Sequence, residues 1–133
     1  MVVEITTRCN GECSHCMVDA GAEGGDMNTE TLAEVSGFLD LVGARTALVA
    51  GGEPTLHPNF AEFCRTLRTS RRVVLLLSNG SFVRSPRRLR VVRELVAEGV
   101  IQVQVTSDSR YYPHAEQLLP VIRAAGFAPE PVP

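Results

Sequence analysis

An α/β fold, a parallel sheet with βαβ crossovers, is what this 133-residue sequence predicts. Three observations carry that expectation. Four short runs of aliphatic and β-branched residues alternate with four segments of helical apolar spacing. Each run ends in a turn of glycine or small polar residues, and the chemically distinctive residues gather at those turns. Strands separated by helices imply right-handed crossovers, with functional loops at the carboxyl ends of the strands.

The first strand is Val2-Val3-Glu4-Ile5-Thr6. A first helix follows, capped by Asn28, with Leu32, Val35, Leu39 and Val42 on its apolar stripe and Gly43 at its end. Ala47-Leu48-Val49-Ala50 reads as the second strand. Phe60, Phe63 and Leu67 mark the second helix, which starts near His57-Pro58-Asn59 and carries Cys64 on its apolar face as a small hydrophobe. Val73-Val74-Leu75-Leu76-Leu77 is a continuous apolar run, as expected of a buried parallel strand. The third helix has Ser85 as cap, Pro86 in its first turn, a stripe of Leu89, Val92 and Val96, and Gly99 as terminator. Ile101-Gln102-Val103-Gln104-Val105 alternates in the manner of an edge strand. Leu118, Leu119, Ile122 and Ala125 before Gly126 form a fourth helix, whose regular part is expected to begin close to Pro120.

The length suits one compact domain, and the 44% hydrophobic content is ordinary for a soluble protein. No apolar stretch of roughly 18 residues is present to span a membrane. All 13 basic residues are arginine, and nine of them lie between Arg65 and Arg93. A solvated helical surface accounts for them better than a nucleic-acid interface, because the net charge is −2 and only 5% of residues are aromatic.

Chemistry concentrates in Cys9-Asn10-Gly11-Glu12-Cys13-Ser14-His15-Cys16, a CxxxCxxC triplet directly after the first strand. Three thiolates in one short loop can converge on one metal, and two readings stay open on the triplet alone. One is an iron-sulfur cluster with an iron left open, since clusters held purely for electron transfer usually take four cysteines. The other is zinc, with His15, His57 or Cys64 as the fourth tetrahedral ligand. The chain begins Met-Val-Val-Glu without a basic-then-apolar leader, and crowded cysteines in a reducing setting point to metal or catalysis rather than to a disulfide. At the end of the second strand stands Gly51-Gly52-Glu53-Pro54, two glycines that admit close backbone approach and a carboxylate able to receive a cation.

CxxxCxxC after the first strand, paired with GGEP after the second, resembles the radical S-adenosylmethionine (radical SAM) superfamily. The resemblance implies that Cys9, Cys13 and Cys16 hold a [4Fe-4S] cluster whose open iron is chelated by S-adenosylmethionine. It places His15 near the adenine, assigns Gly51, Gly52 and Glu53 to the methionine amine, and sets Ser78 and Asn79 of the Ser78-Asn79-Gly80 turn facing the cofactor cavity. Ser107 and Asp108, after the fourth strand, fall where the family approaches ribose or substrate. Tyr111, Tyr112 and His114 follow, either at the substrate mouth or packed at a helix start. The implied fold is an incomplete, partial TIM-like barrel of about four βα units over residues 1–126, with residues 127–133 a proline-rich tail or cut point.

The implied reaction is reductive cleavage of S-adenosylmethionine to methionine and a 5′-deoxyadenosyl radical, which abstracts hydrogen from a substrate. It calls for a low-potential electron donor and an oxygen-poor, cytoplasmic setting. The family's usual core has six βα units, so four imply either a minimal enzyme acting as a homo-oligomer or with a completing partner at the open sheet edge, or a piece of a longer chain. The absence of a carboxy-terminal cysteine cluster speaks against the peptide-maturing subgroup with auxiliary clusters. A different class also fits: a non-catalytic iron-sulfur or zinc module in which metal mainly stabilises the fold. Glu53→Ala is expected to separate the two, abolishing cofactor binding in the enzyme and changing little in a structural module.

Overall fold

The computed structural model describes residues 1–10, 23–106 and 115–127. Along the chain run β1 (Val2–Thr6), α1 (Thr29–Leu41), β2 (Thr46–Gly51), α2 (Phe60–Leu67), β3 (Val73–Ser78), α3 (Pro86–Ala97), β4 (Ile101–Val105) and α4 (Ala115–Ala124). Single 3-10 turns at Pro54–Leu56 and Ser81–Arg84 follow β2 and β3. All pairings between the strands are parallel and their order is β1-β2-β3-β4. A sequential order without reversal is that of an arc of a TIM-like barrel, whereas a doubly wound sheet changes direction at a switch point.

Register places Val3, Val49, Leu76 and Val103 side by side on one face of the sheet. Ile5, Ala47, Val74, Ile101 and Val105 share that face by alternation, and all five are buried. The helices cover it with Leu32, Leu39, Phe63, Leu67, Val92, Leu95, Leu118 and Ile122. Each such side chain contributes about 1.5–3 kcal/mol of burial. The opposite face carries Leu48, Leu75 and Leu77, which are only half buried. β3, expected as a buried parallel strand, is thus covered on one face among the described residues, because the described helices lie along one side of the sheet.

Helix signals in the sequence place the elements well and their faces less well. Asn28 caps α1, its Oδ1 accepting from the Thr31 N–H at 2.8 Å, and Ser85 caps α3, its Oγ accepting from the Arg88 N–H at 3.3 Å. Val42 is 49% exposed, since ten residues beyond Leu32 the helix has turned about 80° short of three full turns. In α3 the buried face is centred between Val92 and Leu95, and Val96 at its margin is 41% exposed. Pro120 lies inside α4, which begins five residues earlier, at Ala115. One missing donor in the second turn is outweighed by the packing of Ala115, Leu118 and Ile122.

The basic stretch is not uniformly solvated either. Arg72, just before β3, is 1% exposed. Its Nε donates to the Leu67 carbonyl at 2.7 Å, and its two terminal nitrogens donate to Asp40 Oδ1 at 3.0 Å and Ser36 Oγ at 3.1 Å. One guanidinium thus joins α1 to the α2–β3 connection at the amino edge of the sheet. Arg72→Leu is expected to cost about 2–4 kcal/mol by losing this buried network. Asp40→Asn, at a side chain that is itself 65% exposed, is expected to cost under about 1 kcal/mol. Urea denaturation of the two variants checks the order.

Candidate functional site

At the carboxyl edge the ends of β1, β2 and β3 are hydrogen-bonded into one unit. At the end of β1, Thr6 Oγ1 donates to Asp26 Oδ1 at 2.7 Å, and Arg8 just beyond it pairs with Asp26 Oδ2 at 2.6 Å. The Gly52 N–H donates to the Thr6 carbonyl and the Glu53 N–H to the Arg8 carbonyl, both at 2.8 Å. These bonds seat the segment leading into Cys9 against the Gly51-Gly52 turn. A Cβ on Gly52 would lie 2.3 Å from the Arg8 carbonyl oxygen and 2.9 Å from Cys9 Cβ. One on Gly51, whose φ is +144°, would lie 2.2 Å from the Thr6 carbonyl oxygen. The close approach read from the two glycines is first an approach by the chain itself, which sets Cys9 at the edge.

Glu53 is wholly buried. Its Oε1 accepts from the Thr55 hydroxyl at 2.5 Å, the Ser78 hydroxyl at 2.8 Å and the Thr55 N–H at 3.3 Å. Its Oε2 accepts from the Asn79 N–H at 2.8 Å. The residue is therefore a helix-start carboxylate, capping the Pro54–Leu56 turn, and also the tie between the ends of β2 and β3. Ser78 is buried with its hydroxyl on Glu53. Asn79 reaches the other way: its Nδ2 donates to Asn10 Oδ1 at 3.1 Å and to Cys9 Sγ at 3.9 Å.

Two further residues of this network were not singled out from the sequence. Arg88 NH1 donates to Thr55 Oγ1 at 3.1 Å and to Ser81 Oγ at 3.2 Å, and NH2 donates to the Ser81 carbonyl at 3.2 Å. Ser81 Oγ donates in turn to Asn10 Oδ1 at 3.1 Å. The available signal was positional: Arg87 and Arg88 occupy the first turn of α3, where the helix dipole favours acids, so an arginine there points to a tertiary partner.

Neither of the described candidates for a fourth zinc ligand is suited to it. His57 Nδ1 accepts from the Asn59 N–H at 3.0 Å, which leaves Nε2 protonated and donating to the Met27 carbonyl at 2.9 Å. Cys64 is buried in the α2 core, where desolvation pushes its thiol up to about 12. Cys13, His15, Cys16, Ser107, Asp108, Tyr111, Tyr112 and His114 lie outside the described residues.

The edge gathers a cysteine, a glycine pair and an asparagine turn from three successive parallel strands, at the carboxyl ends where barrel folds carry their sites. The family model of the radical SAM superfamily matches residues 3–126, and this chain belongs to that superfamily. It is 29% identical over 108 residues to the antilisterial bacteriocin subtilosin biosynthesis protein AlbA of Bacillus subtilis (strain 168), covering 79% of this chain and 24% of the relative. It is 27% identical over 106 residues to mycofactocin maturase MftC of Mycobacterium tuberculosis (strain ATCC 25618 / H37Rv), covering 79% and 26%. It is 30% identical over 110 residues to AdoMet-dependent heme synthase of Methanosarcina barkeri (strain Fusaro / DSM 804), covering 79% and 30%. The chain thus spans less than a third of the length of these relatives. The fold also matches the crystal structure of BtrN in complex with AdoMet and 2-DOIA, with a TM-score of 0.63 and 23% identity, over 90% of this chain and 49% of that one.

Burial pushes the Glu53 carboxyl above its ordinary value of 4.5, and the hydrogen bonds from Thr55, Asn79 and Ser78 pull it partly back. With the folded value above the unfolded one, the stability linked to this proton is complete below about pH 4.5 and is lost as pH rises through the folded value. Wild-type unfolding free energy is therefore expected to fall with pH above that point more steeply than that of Glu53→Gln. Denaturant titrations at a series of pH values check this, and parallel profiles would show that Glu53 does not titrate there. Glu53→Ala strands four donors, three of them buried, and is expected to cost about 3 kcal/mol or more, so it does not separate enzyme from module as the sequence alone suggested.

Proposed function

We propose that this chain is the cluster-binding and S-adenosylmethionine-binding part of a radical SAM enzyme, with Cys9, Cys13 and Cys16 as ligands to a [4Fe-4S] cluster. The observation that supports it most is the hydrogen-bonded convergence of Cys9, Gly51-Gly52 and Ser78-Asn79 on one strand edge. A soft thiolate donor carried by Cys9 beside an amide donor suits an iron-sulfur cluster, whose sulfurs accept hydrogen bonds. When bound, the cluster and S-adenosylmethionine supply the 5′-deoxyadenosyl radical that abstracts hydrogen from a substrate.

The chain's own residues bind, position and shield. Gly51 and Gly52 keep the edge free of side chains beside Cys9, and His15, Ser107 and Asp108 complete the S-adenosylmethionine site in this reading. Glu53 and Ser78 act behind it: with both carboxylate oxygens occupied, Glu53 holds Asn79 and the Pro54–Leu56 turn in place. Among the described strands β4 pairs with β3 alone. That edge is where a further strand, from the rest of a longer chain, from a second copy or from a partner, continues the wall. A low-potential donor supplies the electron, and an oxygen-sensitive cluster suits a reducing, cytoplasmic setting. No helix among the described residues is long and apolar enough to cross a membrane.

Anaerobic reconstitution with iron and sulfide, followed by dithionite and S-adenosylmethionine, tests the proposal by quantifying 5′-deoxyadenosine by mass spectrometry. Product is expected from the wild type and absent from Cys13→Ala. A [4Fe-4S] spectrum with no product would favour a binding module that depends on further chain or partner. A chain that took up zinc and assembled no cluster would overturn the reading.

A further inference from the structure

We infer that Asn79 tunes the metal centre held by Cys9: its side-chain amide donates a hydrogen bond to Cys9 Sγ and raises the reduction potential of a cluster ligated there. The inference rests on the cluster reading above. It begins with the orientation of the amide, which the surrounding donors and acceptors fix. Asn79 Oδ1 accepts from the Ser81 N–H at 2.9 Å, so Nδ2 must face the opposite side. There it meets two acceptors, Asn10 Oδ1 at 3.1 Å and Cys9 Sγ at 3.9 Å, and an amide nitrogen has one proton for each. A flipped amide would set its oxygen against Asn10 Oδ1 and its NH2 against the Ser81 N–H.

The turn carrying the amide is equally fixed. The Asn79 N–H is bonded to Glu53 Oε2. Gly80 sits at φ +81°, and a Cβ there would lie 2.6 Å from Ile122 Cδ1 and 2.9 Å from Val105 Cγ1. Asn10 Oδ1 also receives the Ser81 hydroxyl, which Arg88 holds from the far side. Donation to a ligand sulfur disperses negative charge, and reduction adds negative charge to the cluster. The bond therefore favours the reduced state and moves the potential upward.

The test is an EPR-monitored redox titration of the anaerobically reconstituted full chain, wild type against Asn79→Ser and Asn79→Leu. Serine keeps an acceptor for the Ser81 N–H in a related turn but is too short to reach Cys9, while leucine removes acceptor and donor together. Asn79→Ser is expected to keep wild-type cluster content and melting temperature while its midpoint moves negative. At the wild-type midpoint its oxidised-to-reduced ratio should rise several-fold, a tenfold rise being about 59 mV for a one-electron couple. Asn79→Leu should move in the same direction. An unchanged midpoint in Asn79→Ser at full cluster content overturns the inference, and so does loss of the cluster in that variant, which would make Asn79 necessary for assembly instead. A wild-type chain that assembles no cluster defeats the proposed function first and this inference with it.

Discussion

A carboxylate with no access to water, receiving four hydrogen bonds from Thr55, Ser78 and Asn79, holds the carboxyl edge of this sheet together. Burying Glu53 carries a desolvation cost that its donors offset in part. Those donors come from the two segments that must be registered against each other, the turn after β2 and the end of β3. Their geometry passes outward: Asn79 is aimed at Asn10 and Cys9, and Arg88 closes the ring through Thr55 and Ser81. The position of the segment carrying Cys9 is thus coupled to a buried carboxyl at the end of the neighbouring strand.

The two edges of the sheet use buried ionisable groups for different ends. At the amino edge Arg72 ties α1 to the α2–β3 connection, and its partners are a carbonyl, a serine and a largely exposed aspartate. At the carboxyl edge the ties through Glu53 and Asn79 lead to Cys9. The division matches barrel architecture in general, where one face carries chemistry and the other stability.

Element types and order were legible in the sequence because apolar period and caps report local structure directly: Asn28, Ser85, Pro86 and the Val73–Leu77 run each fell where expected. Faces were less legible. Val42 and Val96 fit a helical stripe by spacing, yet which part of a stripe meets the sheet depends on helix rotation that only packing sets. Pro120 was overruled by three buried neighbours on α4. At the site, Cys9, the glycine pair, Glu53 and Asn79 stood out as motifs, and the structure draws them together. Arg88 and Ser81 did not: an arginine at a helix start signals a tertiary partner without saying which, 33 residues away, and a serine after a turn carries no local sign of one 71 residues away.

The Gly51-Gly52 turn bears on how such sequences are told apart. Its two missing side chains leave room for the carbonyls of Thr6 and Arg8, atoms that belong to the fold and are present whether or not any cofactor is. A descendant that had lost its cysteines would still need both glycines to close β1 against β2. The glycine pair is therefore a marker of ancestry that outlives the chemistry, and a sequence retaining it beside a broken cysteine triplet would keep the architecture while giving up the reaction.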